Sequence, residues 1–221
     1  NIEVEGVLSH FADADNPITQ KFSERQITCF KDAIAILESE GIHPKWKHIS
    51  ASSGSYKYFI PECNMLRVGL ACYGINPLQQ EDSAFSSLKL IPAMRVLSTV
   101  VQIKKIVKGS KVGYSGTFIA PKDTTIGIVP AGYYDLLDRR LSNCGIFQVR
   151  GMYCPIIGKV SMNMTTIDLS TVPNVSVGDV VTIYSDNPRD ENFIGNTAKA
   201  AKAISYELMV HLAESVKREE Y

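Results

Sequence analysis

His10, the run Ser50-Ala-Ser-Ser-Gly54, and Arg67 with Gly69 are the residues in the first third of this sequence best suited to chemistry. Each falls at or just beyond the end of a strand-like stretch, where α/β barrels gather their sites. A histidine can shuttle protons, a guanidinium donates several hydrogen bonds without losing its charge, and Ser52, Ser53 and Gly54 could cradle a phosphate. Position alone equally allows a satisfied core histidine, a structural ion pair at Arg67 and an ordinary Ser-Gly turn. Further along, Tyr114 lies in Lys111-Val-Gly-Tyr-Ser-Gly-Thr-Phe118, between glycines that permit close backbone approach. Tyr133 lies in Val129-Pro-Ala-Gly-Tyr-Tyr-Asp135. A tyrosine in a β-rich region usually packs across strands, and each of these alone would be read that way. No GxGxxG, P-loop, HExxH or GxSxG motif occurs.

The elements that must carry these residues change character along the chain. Val4 to Phe11 reads as a strand ending at His10. Ser23 and Gln26 have the spacing of a capping box, Ile27, Phe30, Ile34 and Leu37 recur at helical spacing, and Gly41 marks a stop. Trp46 to Ile49 is a second strand and Met65 to Tyr73 a third, so the texture is parallel βα. Three such strands are too few to close a barrel. The polar stretch from Gln79 to Ser87 reads as a linker. Beyond it, Met94 to Val107, Thr124 to Val129, Ile146 to Val149 and Val180 to Ile183 are β-rich and punctuated by Gly and Pro, as in an antiparallel domain. A last helix is expected from about Thr197, with Ile204, Leu208, Leu212 and Val216 on one face. The fold class is therefore α/β plus β: residues 1–86 as part of a barrel, and residues 87–221 as a β-rich domain with a terminal helix.

Composition narrows the function classes. Apolar residues make up 45% and charged residues 21%, with a formal net charge of +0, an ordinary globular balance without the footprint of a nucleic-acid binder. No apolar run approaches the roughly 20 residues that span a membrane. The five cysteines, Cys29, Cys63, Cys72, Cys144 and Cys154, are scattered without metal-type spacing, which suits a reducing, cytoplasmic compartment. The first residue is not Met, which leaves room for a chain that starts inside a longer protein.

Six segments, taken in order, resemble the alanine racemase family. His10 sits in a THFATAD-like strand, Arg67 in Arg-Val-Gly-Leu-Ala-Cys-Tyr-Gly74, similar to RxGIxLYG, and Tyr114 in a V-x-Y-G-x-T-[YFW]-like segment. Tyr133 matches the tyrosine of GYADG, Pro155 to Met164 resembles PVxGRVCMDM, and Ile204-Ser-Tyr-Glu-Leu208 resembles TISYE.

The resemblance implies the C-terminal part of a TIM-type (β/α)8 barrel followed by a β domain. It also implies pyridoxal 5'-phosphate as cofactor and racemisation of alanine to supply D-alanine for peptidoglycan, in a head-to-tail homodimer. By resemblance Tyr114 is the acid/base, working in the partner's site. Arg67 donates to the cofactor's pyridine nitrogen, and His10 and Arg67 couple to Tyr114. Ser52, the Gly69 and Leu70 amides and Tyr206 hold the phosphate. Tyr133, the Met162 N–H and Asn163 lie by the substrate entrance and carboxylate, with Tyr133 and Met162 acting across the dimer.

The chain departs from the family pattern in several places. No lysine stands in the VxKANAYG-like context that tethers the cofactor, and roughly 150 residues of a (β/α)8 length are not represented, so the chain alone is expected to be inactive. Asn163 stands for an Asp, Ala51 for an Asn, and Leu136 for the Gly of GYADG. These changes leave open a serine/alanine racemase, and the missing lysine an inactive fragment acting in binding or assembly. A partial barrel is also expected to expose sheet edges, so that residues 1–80 expressed alone aggregate, self-associate tightly or stay partly disordered.

Overall fold

Asn16 and Pro17, rather than Ser23, start the first helix. Asn16 Oδ1 accepts from the Ile18 N–H, opening a 3-10 turn Pro17–Thr19 that runs into α1, Gln20–Ser39. Ser23 therefore lies inside the helix, buried, and the expected capping box does not form. Gln26 instead turns its amide outward, accepting from the Ala12 N–H and donating to the His10 carbonyl, so it pins the chain where the first strand ends. The expected stop is a Schellman turn. Gly41 has φ +74°, its N–H donates to Glu38 O, and the Ile42 N–H donates to Leu37 O.

The computed structural model describes residues 2–220, which divide into two units, one ending at Ala93 and the other beginning at Met94. In the first, β1 (Gly6–Leu8) pairs in parallel with β2 (Trp46–His48), Gly6 opposite Trp46 and Leu8 opposite His48. Phe30 and Ile34 of α1 pack with Phe11, Ala14, Ile49 and Ile60 to form its core. α2, Ser52–Lys57, follows β2. The expected third strand shrinks to a single parallel bridge, Ala51 to Arg67. At Gly69 (φ −121°, ψ −90°) the backbone leaves extended geometry, and Leu70–Tyr73 form a 3-10 turn closed by left-handed Gly74. This unit presents open strands and not a closed barrel. Residues 79–87 are not a free linker. Asp82 is buried 2.7 Å from Lys57 Nζ at the end of α2, and its carboxylate also accepts from the Ala84 N–H.

The second unit is β-rich. β3 (Val96–Thr99) joins a sheet of order β3-β11-β8-β9, with β8 (Ile146–Val149), β9 (Met152–Pro155) and β11 (Val180–Tyr184). β4 (Gln102–Ile106), only three residues after β3, belongs to a second sheet, β10-β7-β4, with β7 (Thr124–Val129) and β10 (Thr165–Asp168). The switch occurs at fully buried Val100, which bonds to residues 178 and 179 on the β11 side before Val101 donates to Ile128 O of β7. Burial alternates along β8 and β10, as the period-2 apolar pattern requires. Phe147, 1% exposed, is worth about 2 kcal/mol in burial.

A two-stranded ribbon, β5 (Lys111–Val112) with β6 (Phe118–Ile119), frames the turn that bears Tyr114. The single terminal helix expected from Thr197 is instead two, α3 (Ile194–Ala200) and α4 (Ser205–Val210). Lys202 takes a left-handed φ of 54°, its N–H donates to Lys199 O and the Ala203 N–H to Ala198 O, which ends α3. Among the described residues no helix is long and apolar enough to cross a membrane.

Candidate active site

The parallel register of β1 and β2 brings two strand ends side by side, and Arg67 ties them together. Its Nη2 donates to the Ser9 carbonyl (2.7 Å), to Ile49 O (3.3 Å) and to His10 Nδ1 (2.8 Å). Its Nη1 meets His48 Nδ1 in a short contact and also reaches the His48 carbonyl. A guanidinium can only donate, so both imidazoles present an unprotonated Nδ1 to it and carry their proton at Nε2. Burial, and then the charge of Arg67, hold His48 below the usual histidine range, in keeping with a neutral ring.

His48 was not among the residues expected to do chemistry. The signal for it was its place at the end of β2, two residues before the Ser50–Gly54 run. Only the strand register reveals that it faces Arg67.

Two residues beyond Arg67 the same stretch reaches Ser52. The Gly69 N–H donates to Ser52 Oγ (3.0 Å) and the Ala71 N–H lies 3.5 Å from it. Ser52 is 1% exposed and opens α2. Phe11 closes the space behind Gly54, where a Cβ would come 2.7 Å from its ring. The first unit thus gathers His10, Arg67, Ser52, Gly69 and Leu70, five of the expected residues, and adds His48.

The remaining expected residues lie in the second unit, and most share one support. Tyr114 is 68% exposed on a turn in which Gly113, Ser115 and Gly116 all have positive φ. Gly113 leans on the backbone at Lys159, and Lys159 Nζ donates to Ser115 Oγ (3.2 Å). Tyr133 and Met162 are neighbours. The Tyr133 N–H donates to Ser161 O (3.0 Å) and the Tyr134 N–H to Met162 O (2.9 Å). A Cβ on Gly132 would collide with the Ser161 and Met162 carbonyls, so only glycine permits this approach. Tyr133 and Met162 are themselves 46% and 52% exposed, and Asn163 beside them is exposed. Residues 155–164 therefore back both tyrosine loops. Tyr206, 41% exposed, stands apart on α4, whose Glu207 is tied to Arg140 and through it to Asp138.

The molecule is thus an α/β unit with polar donors gathered at its strand ends, followed by a β-rich unit that displays exposed tyrosines on glycine-bounded turns. Two family models match it. One, described as alanine racemase, N-terminal domain, covers residues 1–77, and the other, alanine racemase, C-terminal domain, covers residues 93–220. The chain belongs to the alanine racemase family.

Among curated relatives, the alanine racemase of Leptospira interrogans is 32% identical over 222 residues, covering 98% of this chain and 57% of that protein. That of Desulfosudis oleivorans is 35% identical over 219 residues, covering 98% and 55%. Among solved structures, alanine racemase from Streptomyces lavendulae superimposes with a TM-score of 0.88 at 32% identity, over 99% of this chain and 56% of that one. The alanine racemase from E. faecalis gives 0.85 at 33%, over 98% and 56%. The chain spans a little over half the length of the curated relatives it matches.

Proposed function

We propose that this chain serves a pyridoxal-phosphate-dependent alanine racemase, as the C-terminal part of its TIM-type barrel and its β domain. The observation that carries the reading is Arg67, held between the imidazoles of His10 and His48, with the buried hydroxyl of Ser52 reached by the same stretch at Gly69. That donor set suits a compound with an acceptor nitrogen at one end and a phosphate at the other. Ser52 and the Gly69 and Leu70 amides would hold the phosphate, and Arg67 would face the ring nitrogen. When bound, the cofactor supplies an electron sink for the substrate Cα. Arg67 moderates that sink, because a guanidinium does not give up its proton and leaves the ring nitrogen unprotonated. Return of a proton to Cα is then favoured over loss of the amino group.

Tyr114 would hold and deliver that proton on one face of Cα, in the active site of a partner copy of the chain, with His10 and Arg67 coupled to it. Its exposure, shared with Tyr133 and Met162, supports a surface that works against a second copy. Tyr133 and the Met162 N–H would orient the amino-acid carboxylate, with Asn163 beside the entrance. The reaction would take place in the cytoplasm and feed D-alanine to peptidoglycan synthesis. This chain by itself would not racemise alanine, since no lysine in it stands at the site as cofactor tether.

The test has two parts. The chain is titrated with pyridoxal phosphate and with pyridoxal, and the natural gene product is assayed for conversion of L-alanine and L-serine. Pyridoxal phosphate is expected to bind the chain more tightly, Ser52→Ala to erase that preference, and the gene product to favour alanine. Equal binding of the two compounds would sink the phosphate grip, and faster turnover of serine would sink the substrate assignment. Racemisation by the chain alone, or a lysine fixed by borohydride, would overturn the account of the tether.

A further inference from the structure

Asn143 touches both segments that frame Tyr114. Its Oδ1 accepts from the Gly158 N–H at 2.6 Å, and its Nδ2 donates to Thr117 Oγ1 at 3.1 Å. Thr117 caps the Tyr114–Gly116 turn on one side. On the other side, Gly158 and Lys159 are the backbone against which the turn rests: a Cβ on Gly113 would lie 3.2 Å from the Lys159 nitrogen, and one on Gly158 would lie 2.9 Å from the Val112 carbonyl. Asn143 itself has φ 61°, a left-handed conformation that asparagine tolerates better than most residues. It follows the 3-10 turn Arg139–Leu141, which Asp138 caps, so the amide projects from a fixed base. The adjacent Ser142 Oγ accepts from the Val160 N–H at 3.0 Å and extends the same seam.

We propose that Asn143 is the positioning residue of Tyr114, clamping the turn 113–117 to residues 158–160 and so setting the direction of the phenol. This rests on the acid/base role proposed for Tyr114. With the ring 68% exposed, its aim must come from the backbone that carries it, a three-residue turn entered from positive-φ Gly113 and itself holding positive φ at Ser115 and Gly116. Gly158 is buried, and loss of the Asn143 side chain takes away the acceptor its N–H meets. Losing the side chain frees the turn without removing any core residue.

Asn143→Gly keeps the left-handed backbone and deletes the clamp, Asn143→Asp keeps the acceptor for Gly158, and Thr117→Val removes only the Thr117 hydroxyl. In the full chain, amide exchange of residues 113–117 should rise about tenfold in Asn143→Gly and by less in Thr117→Val, with β7 and β8 unchanged. Asn143→Asp should restore most of the protection. In the natural gene product, Asn143→Gly should raise the α-deuterium isotope effect on kcat/KM for one alanine enantiomer only, the one whose proton Tyr114 removes. Unchanged exchange at 113–117, or a rise shared with β7 and β8, overturns the positioning role. An isotope effect that moves equally for both enantiomers also overturns it. Full activity in Tyr114→Phe would defeat the acid/base reading instead, and amide exchange at 113–117 would then decide the clamp by itself.

Discussion

Arg67 Nη2 donates to His10 Nδ1 across 2.8 Å, although 57 positions separate the two residues in sequence. The contact exists because β1 and β2 end together and the Ala51–Arg67 bridge adds a third backbone beside them. His48 completes the set on the other side of the guanidinium. Replacing Arg67 by lysine keeps the charge and loses the fork that serves two imidazoles and three carbonyls. Arg67→Lys should destabilise the chain by about 1–3 kcal/mol in urea unfolding. A change within experimental error would mean that the guanidinium network does not hold the strand ends together.

His48 gives the acid side of the stability profile a specific shape. Its folded pKa lies below that of the unfolded chain, because burial disfavours the charged ring and Arg67 repels it. The unfolded state therefore takes up a proton first as pH falls. The stability contributed by neutral His48 is complete above about pH 6.5 and is lost as pH falls through the folded value. His48→Gln keeps an acceptor for Arg67 and removes the titration, so its melting temperature should decline less than the parent's between about pH 6.5 and 5. Parallel declines would show that some other group sets the slope.

The Lys57–Asp82 pair should be costly to break on one side only. The two side chains are 6% and 4% exposed and lie 2.7 Å apart, a buried ion pair. Asp82→Ala strands a buried ammonium and is expected to lose about 3 kcal/mol, whereas the double change Lys57→Met with Asp82→Leu should recover most of it. Lys57 and the Ala84 N–H also hold the Asp82 carboxyl below its usual range. Its contribution is present above about pH 4 and disappears as pH falls through the folded value, so the double variant should lose less stability in acid. Urea titrations across pH measure both effects.

Gly132 and Gly151 make a matched comparison. A methyl at Gly132 has no room between the Ser161 and Met162 carbonyls, whereas one at Gly151 meets nothing within 4 Å and suffers only its φ of +76°. Gly132→Ala should cost about 2 kcal/mol or more, and Gly151→Ala about 1 kcal/mol. Calorimetric melting decides between them. If Gly132→Ala is the milder change, the close approach of the Tyr133 loop to Met162 is not what the geometry indicates.

Local patterns in the sequence were enough where a single element decides the outcome. β7 and β8 run over the same residues that their β-rich composition indicated, and Gly41 ends α1 because a left-handed stop favours a residue without Cβ. The last helix misled for the converse reason. Lys202 adopts the left-handed stop with no glycine to announce it. Ser23 and Gln26 had capping-box spacing, but Asn16 and Pro17 upstream opened the helix first and left Gln26 free to hold the His10 backbone. His10, Arg67 and Ser52 were legible through strand ends and motif resemblance. His48, Asn143 and the Lys57–Asp82 pair were not, because each acts across a distance in sequence that only the folded register closes.

Residues 155–164 touch Tyr114's turn at Gly158 and Lys159 and Tyr133's loop at Ser161 and Met162. Substitutions in that decapeptide should therefore be strongly epistatic with changes in either loop, since a shift that suits one displaces the other. Changes that reposition the two tyrosines would accumulate as paired replacements along that spine rather than as independent steps in each loop.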